Sequence, residues 1–123
     1  GKRKVAVFSD PDCPYCKRLE KDLAKVTDVT IYTFLYPIAS LHPDAARKSK
    51  LIWCAPNRQK AWDDYMLRGE LAAEKSCDTP LDEIQAVGQK HKMNGTPTLV
   101  FADGRVVPGA IPTSDMETYL NGK

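Results

Sequence analysis

The chain has no hydrophobic run that approaches the roughly 18 residues needed to span a bilayer. It also has no signal-peptide pattern, no internal repeat and no low-complexity tract. Neither sign of charge dominates, because 18 lysines and arginines stand against 16 aspartates and glutamates. The net charge of +2 therefore gives no reason to expect a nucleic acid or an acidic partner. Within these residues, the absences argue against a membrane span, a repeat array and a basic nucleic-acid-binding surface.

The length and the cysteine count are more informative. At 123 residues the chain can bury a core without covalent staples, so we interpret residues 1–123 as a single domain. An apolar strand is predicted only four residues after the start, which leads us to expect a mature form or an excised domain. Only four cysteines are present, and they allow three pairings.

The motif that carries the chemistry is Cys13-Pro14-Tyr15-Cys16. It follows residues 5–8, which are typical of a short buried strand, and a turn at 9–12 that can cap a helix. A thiol at a helix N-terminus lies among unpaired N–H groups and the positive end of the helix dipole, which stabilise its thiolate. The thiolate is the form that attacks disulfides, and a second thiol three residues later can close a ring. The motif predicts a redox-active pair.

The two thiols are predicted to have different roles. Cys13 is assigned as the nucleophile because it is nearer the helix end and is expected to be exposed, whereas Cys16 should lie under the first turn. Helical spacing predicts a buried face made by Tyr15, Leu19, Leu23 and Val26. The charged face is predicted to contain Lys17, Glu20, Lys21 and Lys25. Tyr15 could alternatively offer an aromatic contact to substrate.

A zinc site is an alternative use of the CPYC cysteines. As half of a zinc site the motif would need two more ligands, and none of the candidates lies in a paired zinc knuckle. These candidates are Cys54, Cys77, His42 and His91. We therefore expect no metal and no cofactor. We interpret His42 as a loop histidine beside Pro43, not a catalytic base, and His91 as a solvent-facing residue near a helix end. From the residues alone, Cys54 and Cys77 are either a structural bridge, which implies an oxidising compartment, or two unrelated buried thiols.

The order of predicted elements is β-α-β, then about forty residues of helix, then β-β-α. The second strand is predicted at 29–36, and Asp103-Gly104 is a hairpin turn between strands at 98–102 and 105–107. A βαβ unit calls for a parallel pair with a right-handed crossover, and the hairpin adds antiparallel strands. The sequence therefore predicts an α/β fold, with helices packed on a central mixed sheet. Pro56 and the capping motifs at Thr79 and Ser114 are predicted to begin helices.

The strand, the CPYC motif and a later Gly95-Thr96-Pro97 together resemble a thioredoxin-fold oxidoreductase. The resemblance extends to the catalytic domain of the bacterial periplasmic disulfide isomerases, the DsbC/DsbG family, and is closer to the DsbC branch. It covers nearly the whole chain in order. The segments that carry it are 7–10, 39–46, 52–55, 61–64, 76–78, 95–97 and 107–109.

This resemblance implies roles for individual residues. Pro97 matches the family's cis-proline facing the active-site cysteines, and Thr96 with Pro97 would hold a substrate peptide in strand-like pairing. Cys54 and Cys77 match a structural disulfide, and the stretch at about 42–91 matches a helical insertion. Pro14 and Tyr15 would tune the redox poise, although the dipeptide is closer to that of the DsbG branch. Thioredoxins commonly bury an acidic residue six positions before the first cysteine, and Val7 occupies that position here. The proton acceptor for Cys16 would then be Glu20, Lys17 or water, or the site would have none.

The resemblance also implies a function. It implies a periplasmic protein disulfide isomerase that acts on misfolded disulfide-containing secreted proteins and receives electrons from a membrane thiol reductase. Full-length members carry an N-terminal dimerisation domain that this chain lacks, so the full-length form is expected to be a homodimer and this domain a monomer. Two alternatives remain open: a monomeric thiol oxidase or reductase, and a redox-inert thioredoxin-like chaperone module.

Overall fold

The computed structural model describes all residues, Gly1–Lys123, as four strands and five helices. The strands are β1 (Arg3–Ser9), β2 (Val29–Leu35), β3 (Thr98–Phe101) and β4 (Val106–Pro108). The helices are α1 (Pro14–Leu23), α2 (Ala45–Cys54), α3 (Arg58–Arg68), α4 (Leu81–Lys90) and α5 (Thr113–Leu120). None of these helices combines the length and the apolar character that a membrane crossing requires.

The strands form one mixed sheet in the order β2-β1-β3-β4. β1 runs parallel to β2, with Arg3 opposite Val29 and Ser9 opposite Leu35, as the βαβ unit predicts. β3 is antiparallel to both β1 and β4, as the hairpin predicts. The predicted α/β fold with a central mixed sheet is confirmed.

Alternation along β1 divides the core between the two faces of the sheet. Val5 and Val7 belong to a buried cluster that includes Leu19 of α1 and Met116 of α5. Phe8, which points the other way, packs with Tyr36, Ile84 and Met93 in a second cluster that involves α4. Because both faces are covered, β1 lies at the centre of the molecule, and its C-terminal end is fixed where the CPYC turn begins.

Three helix starts differ from the capping predictions. α3 begins at Arg58, two residues after Pro56, and is capped by Asn57, whose side chain accepts a hydrogen bond from Lys60 N at 3.1 Å. α4 and α5 begin directly after Pro80 and Pro112, without any side-chain cap from Thr79 or Ser114. A proline restricts the backbone at each of these two starts, so the first turn does not depend on a capping hydroxyl.

Three helices lie between β2 and β3, and they bring a third buried cluster against the CPYC motif. α3 packs on both α1 and α2. Cys13 and Cys16 share this cluster with Ile52, Trp62 and Tyr65. Residues 70–80, which connect α3 to α4, have no regular secondary structure. The helices α2, α3 and α4 therefore pack against one side of the CPYC motif, and we refer to them as the helical wall.

Candidate active site

The CPYC motif lies at the carboxyl end of β1, at the first turn of α1. Cys13 is the N-cap residue, with φ −84° and ψ 121°, and Pro14 occupies the first helical position. Proline is suited to this position because its missing N–H would have no partner inside the helix. The preceding turn does not cap α1 with a side chain. Instead, Cys13 N donates to Asp10 O at 3.1 Å.

Cys13 is buried, which corrects the expectation that it is exposed. Only 4% of its surface is accessible, against 0% for Cys16. The cause is tertiary, because the helices between β2 and β3 pack against it and its thiol donates to Thr96 O at 3.4 Å. Pro14 and Tyr15 beside it are exposed. The order of accessibility, with Cys13 more accessible than Cys16, follows the prediction.

The second thiol lies in a distinctly different environment. Burial raises the pKa of Cys16 to about 12, a hydrogen bond from the Asp10 N–H works against that rise, and charge on Cys13 adds to it. The distance from Asp10 N to Cys16 Sγ is 3.5 Å. Both CPYC cysteines are free thiols. Cys16 is therefore protonated in the dithiol form near neutral pH.

A cis peptide bond joins Thr96 to Pro97 directly opposite the thiols. It precedes β3, and Pro97 is fully buried while Thr96 is partly exposed. The contact between Cys13 Sγ and Thr96 O brings this segment against the CPYC motif. The partly exposed backbone of Thr96, beside a thiol, can hydrogen-bond to an extended peptide.

The active-site turn is also tied to the helical wall, through a contact that the sequence analysis missed. Asp12 Oδ1 accepts hydrogen bonds from Lys48 Nζ of α2 at 2.7 Å and from Tyr65 Oη of α3 at 2.8 Å. The Lys48 ammonium group lowers the pKa of Asp12 although burial opposes it, and Asp12 raises the pKa of Lys48. No signal in the sequence links these three residues, which lie on separate elements.

The buried face of α1 differs from the prediction at two positions. Tyr15 is 58% exposed, and its ring centroid lies 5.2 Å from the Arg18 guanidinium. Glu20, predicted on the charged face, is buried and accepts a hydrogen bond from Trp62 Nε1 at 2.9 Å. The true buried face contains Cys16, Leu19, Glu20 and Leu23. α3 packs on this side of α1, so Glu20 faces protein where an isolated helix would face water.

The other cysteines form a disulfide bond, Cys54–Cys77, with Cα atoms 5.7 Å apart. It ties the end of α2 to the irregular segment before α4. Since both sulfurs are used, neither can ligate a metal together with the CPYC thiols. His91 is exposed at the end of α4, and His42 lies on the loop after β2 with its Nδ1 2.8 Å from Asp10 Oδ2.

Comparison with known proteins agrees with this geometry. A family model described as a thioredoxin-like domain matches residues 1–122. The chain belongs to the thioredoxin-like domain family. A crystal structure of a disulfide interchange protein from Neisseria gonorrhoeae superposes on this member of the family with a TM-score of 0.95 and 52% identity. The match covers 99% of this chain and 88% of that one.

Sequence relatives of this thioredoxin-like domain carry the DsbC name, which confirms the resemblance. A probable thiol:disulfide interchange protein DsbC of Bordetella pertussis is 43% identical over 120 residues. The thiol:disulfide interchange protein DsbC of Escherichia coli K12 is 34% identical over 122 residues. Each alignment covers 98% of this chain, but only 42% and 51%, respectively, of the relative. The chain therefore spans about half the length of these proteins.

Proposed function

We propose that this thioredoxin-like domain catalyses thiol–disulfide exchange and serves as the catalytic domain of a protein disulfide isomerase. The observation that carries the proposal is the pair of free thiols at the start of α1, with Cys13 Sγ 3.4 Å from Thr96 O beside the cis-proline. The names of the relatives, thiol:disulfide interchange proteins, support the same chemistry.

In the proposed first step, the Cys13 thiolate attacks one sulfur of a non-native disulfide in a secreted protein. A mixed disulfide forms, and the other substrate sulfur leaves as a thiolate with the bonding electron pair. That thiolate can attack a different disulfide of the same substrate. When the last exchange returns to the mixed disulfide, Cys13 is released and the substrate has been isomerised without net oxidation.

Cys16 can resolve a mixed disulfide between Cys13 and substrate that does not rearrange further. Cys16 attacks Cys13 Sγ, the bond to substrate breaks, and the proton lost by Cys16 balances the one taken up by the leaving substrate sulfur. The substrate is then reduced and Cys13–Cys16 is oxidised. An electron donor must restore the dithiol, and we propose a membrane thiol reductase for this role in the periplasm.

Substrate contacts are assigned to the segment opposite the thiols. We propose that the backbone of Thr96 and Pro97 aligns a substrate strand, and that the exposed Pro14 and Tyr15 adjust the redox poise and the approach. The Cys54–Cys77 bond is assigned a structural role because it ties the end of α2 to the irregular segment before α4. We also propose that an N-terminal dimerisation domain completes the full-length homodimer.

Reactivation of ribonuclease with scrambled disulfides tests the isomerase assignment. The reduced domain alone, without an added redox couple, should restore ribonuclease activity, and Cys13→Ala should abolish this. His91→Ala, at an exposed histidine outside the buried cluster that contains the thiols, is the matched control and should behave as wild type. Because the chain spans about half the length of its DsbC relatives, the competing function is that of a monomeric oxidase or reductase. Dithiol oxidation or insulin reduction without ribonuclease recovery would favour that alternative.

A further inference from the structure

Asp10 is a buried acidic residue that the mechanism above does not yet use. It directly follows β1, is fully inaccessible to solvent, and lies three positions before Cys13. Carboxylates are almost never fully buried unless they are paired or hydrogen-bonded, because water solvates them well. The partners of Asp10 should therefore indicate what its burial accomplishes.

The carboxylate joins two loops that leave the sheet side by side. Its Oδ1 accepts a hydrogen bond from Asp12 N at 2.8 Å, within the active-site turn. Its Oδ2 accepts from Ile38 N at 2.8 Å and lies 2.8 Å from His42 Nδ1, both on the loop after β2. β1 and β2 are parallel, so both loops emerge at the same edge of the sheet. Asp10 holds them together.

The main chain of the same residue touches both active-site cysteines. Its carbonyl accepts a hydrogen bond from Cys13 N at 3.1 Å, and its N–H donates to Cys16 Sγ at 3.5 Å. Any rotation of the Asp10 peptide would carry its N–H away from the sulfur. The three side-chain contacts restrict that rotation, so the side chain fixes the direction of the main-chain donor.

Of the three groups that contact the Asp10 carboxylate, two are backbone N–H groups and the third is the His42 side chain. A carboxylate has no hydrogen to donate, so we assign the proton of the contact to His42 Nδ1. The His42 side chain is 22% exposed and that of Asp10 is 0% exposed, so the contact joins a side chain near the surface to a buried one. The sequence alone predicts only that His42 lies on a loop, because its partner Asp10 is 32 positions away.

We propose that Asp10 and His42 act as positioning residues for the resolving step, by holding the Asp10 N–H on Cys16 Sγ. In that step the Cys16 sulfur becomes anionic as it attacks Cys13 Sγ, and the N–H stabilises the developing negative charge. The bond between Cys13 and substrate breaks, the Cys13–Cys16 bond forms, and the departing substrate sulfur takes up a proton in place of the one that Cys16 lost. Hydrogen bonds to charged groups are stronger than those to neutral ones, so the effect is larger in the reaction than in the resting dithiol.

This proposal rests on the proposed function, and an aromatic disulfide that releases coloured thionitrobenzoate tests the two separately. One equivalent is released when Cys13 forms the mixed disulfide, and a second is released when Cys16 resolves it. Wild type should therefore show two phases. If wild type releases no second equivalent, the proposed function fails, and the positioning proposal fails with it.

The variants isolate the positioning role. His42→Ala should slow the second phase about tenfold, which corresponds to about 1.4 kcal/mol, and leave the first phase within about twofold. His42→Asn, whose amide nitrogen can take the place of Nδ1, should restore most of the second-phase rate. His91→Ala, at the other histidine of the chain, should change neither phase.

Two results for His42→Ala would contradict the proposal. An unchanged second phase in His42→Ala, or an equal slowing of both phases, overturns the proposal, because a purely structural role would not separate the two steps. If His42→Ala does not fold, Asp10→Asn is judged by the same ratio of phases, since it keeps the size of the side chain while placing an amide donor against existing donors.

Discussion

The indole N–H of Trp62 donates a hydrogen bond to Glu20 Oε1 across the interface of α3 with α1, at 2.9 Å. The other carboxyl oxygen of Glu20 is buried with no hydrogen-bond partner. Burial raises the pKa of Glu20 to about 7, against an ordinary value of 4.5, although the Trp62 hydrogen bond opposes the rise. The domain therefore contains a carboxyl group that ionises inside the protein near neutral pH.

Glu20→Gln should remove a pH dependence of stability. Because the folded-state pKa lies above the unfolded one, protonation of Glu20 favours folding fully below about pH 4.5, and this contribution is lost as the pH rises through about 7. Relative to the variant, wild type should lose up to about 3 kcal/mol of unfolding free energy over that range. Urea unfolding at a series of pH values measures the difference.

The matched control for this measurement is Glu83→Gln, at an exposed acidic residue in the first turn of α4. It should leave the shape of the stability curve between pH 4.5 and 7 close to that of wild type. If the Glu20→Gln curve ran parallel to that of wild type over this range, the ionisation of the buried carboxyl group would be refuted.

Gly88→Ala should destabilise the fold by overpacking. A Cβ at Gly88 would overlap Tyr36 Cε1, and the Tyr36 ring is buried, with its hydroxyl donating to Met93 O at 2.8 Å. We expect a loss of about 1–3 kcal/mol despite the better helix propensity of alanine. Gly95→Ala is the control, since no atom lies within 4 Å of its Cβ position. Equal urea midpoints for the two variants would contradict this packing argument.

Removal of the Cys54–Cys77 bond should lower stability without removing the redox pair. The bond closes a loop with a sequence separation of 23, for which the chain-entropy model gives about 3 kcal/mol. Cys54→Ala/Cys77→Ala should therefore unfold at lower denaturant concentration and still release two equivalents from the aromatic disulfide. Loss of the second equivalent would show that the bond is required for the arrangement of Cys13 and Cys16.

The sheet and the location of the site could be predicted from local signals. Alternation, turn residues and the CPYC spacing all act over a few positions, and the structure agrees with them at β1, α1 and the hairpin. Glu20 could not be placed correctly, because its burial depends on Trp62, 42 residues away. Helical spacing describes only α1 itself, and it does not include the helix that packs against it.

Other features of the site could not be predicted from the sequence either, because they depend on residues that are far apart in the chain. Burial of Cys13 follows from α3 and from Thr96, and the loops around it are joined by Asp10 and His42, which are distant in sequence. The residue types alone also did not decide whether Cys54 and Cys77 form a disulfide bond or are two unrelated buried thiols. Only family resemblance indicated the bond that the structure contains.

Trapping of the mixed disulfide tests most directly whether Cys13 is the attacking sulfur. Oxidised glutathione is mixed with Cys16→Ser and with Cys13→Ser, and the intact mass is followed together with the site of the adduct. Cys16→Ser should hold one glutathione on Cys13, because serine cannot resolve it. Cys13→Ser should remain almost unmodified, because Cys16 is inaccessible and its pKa is about 12. A stable adduct on Cys16, or none on Cys13, would contradict the account.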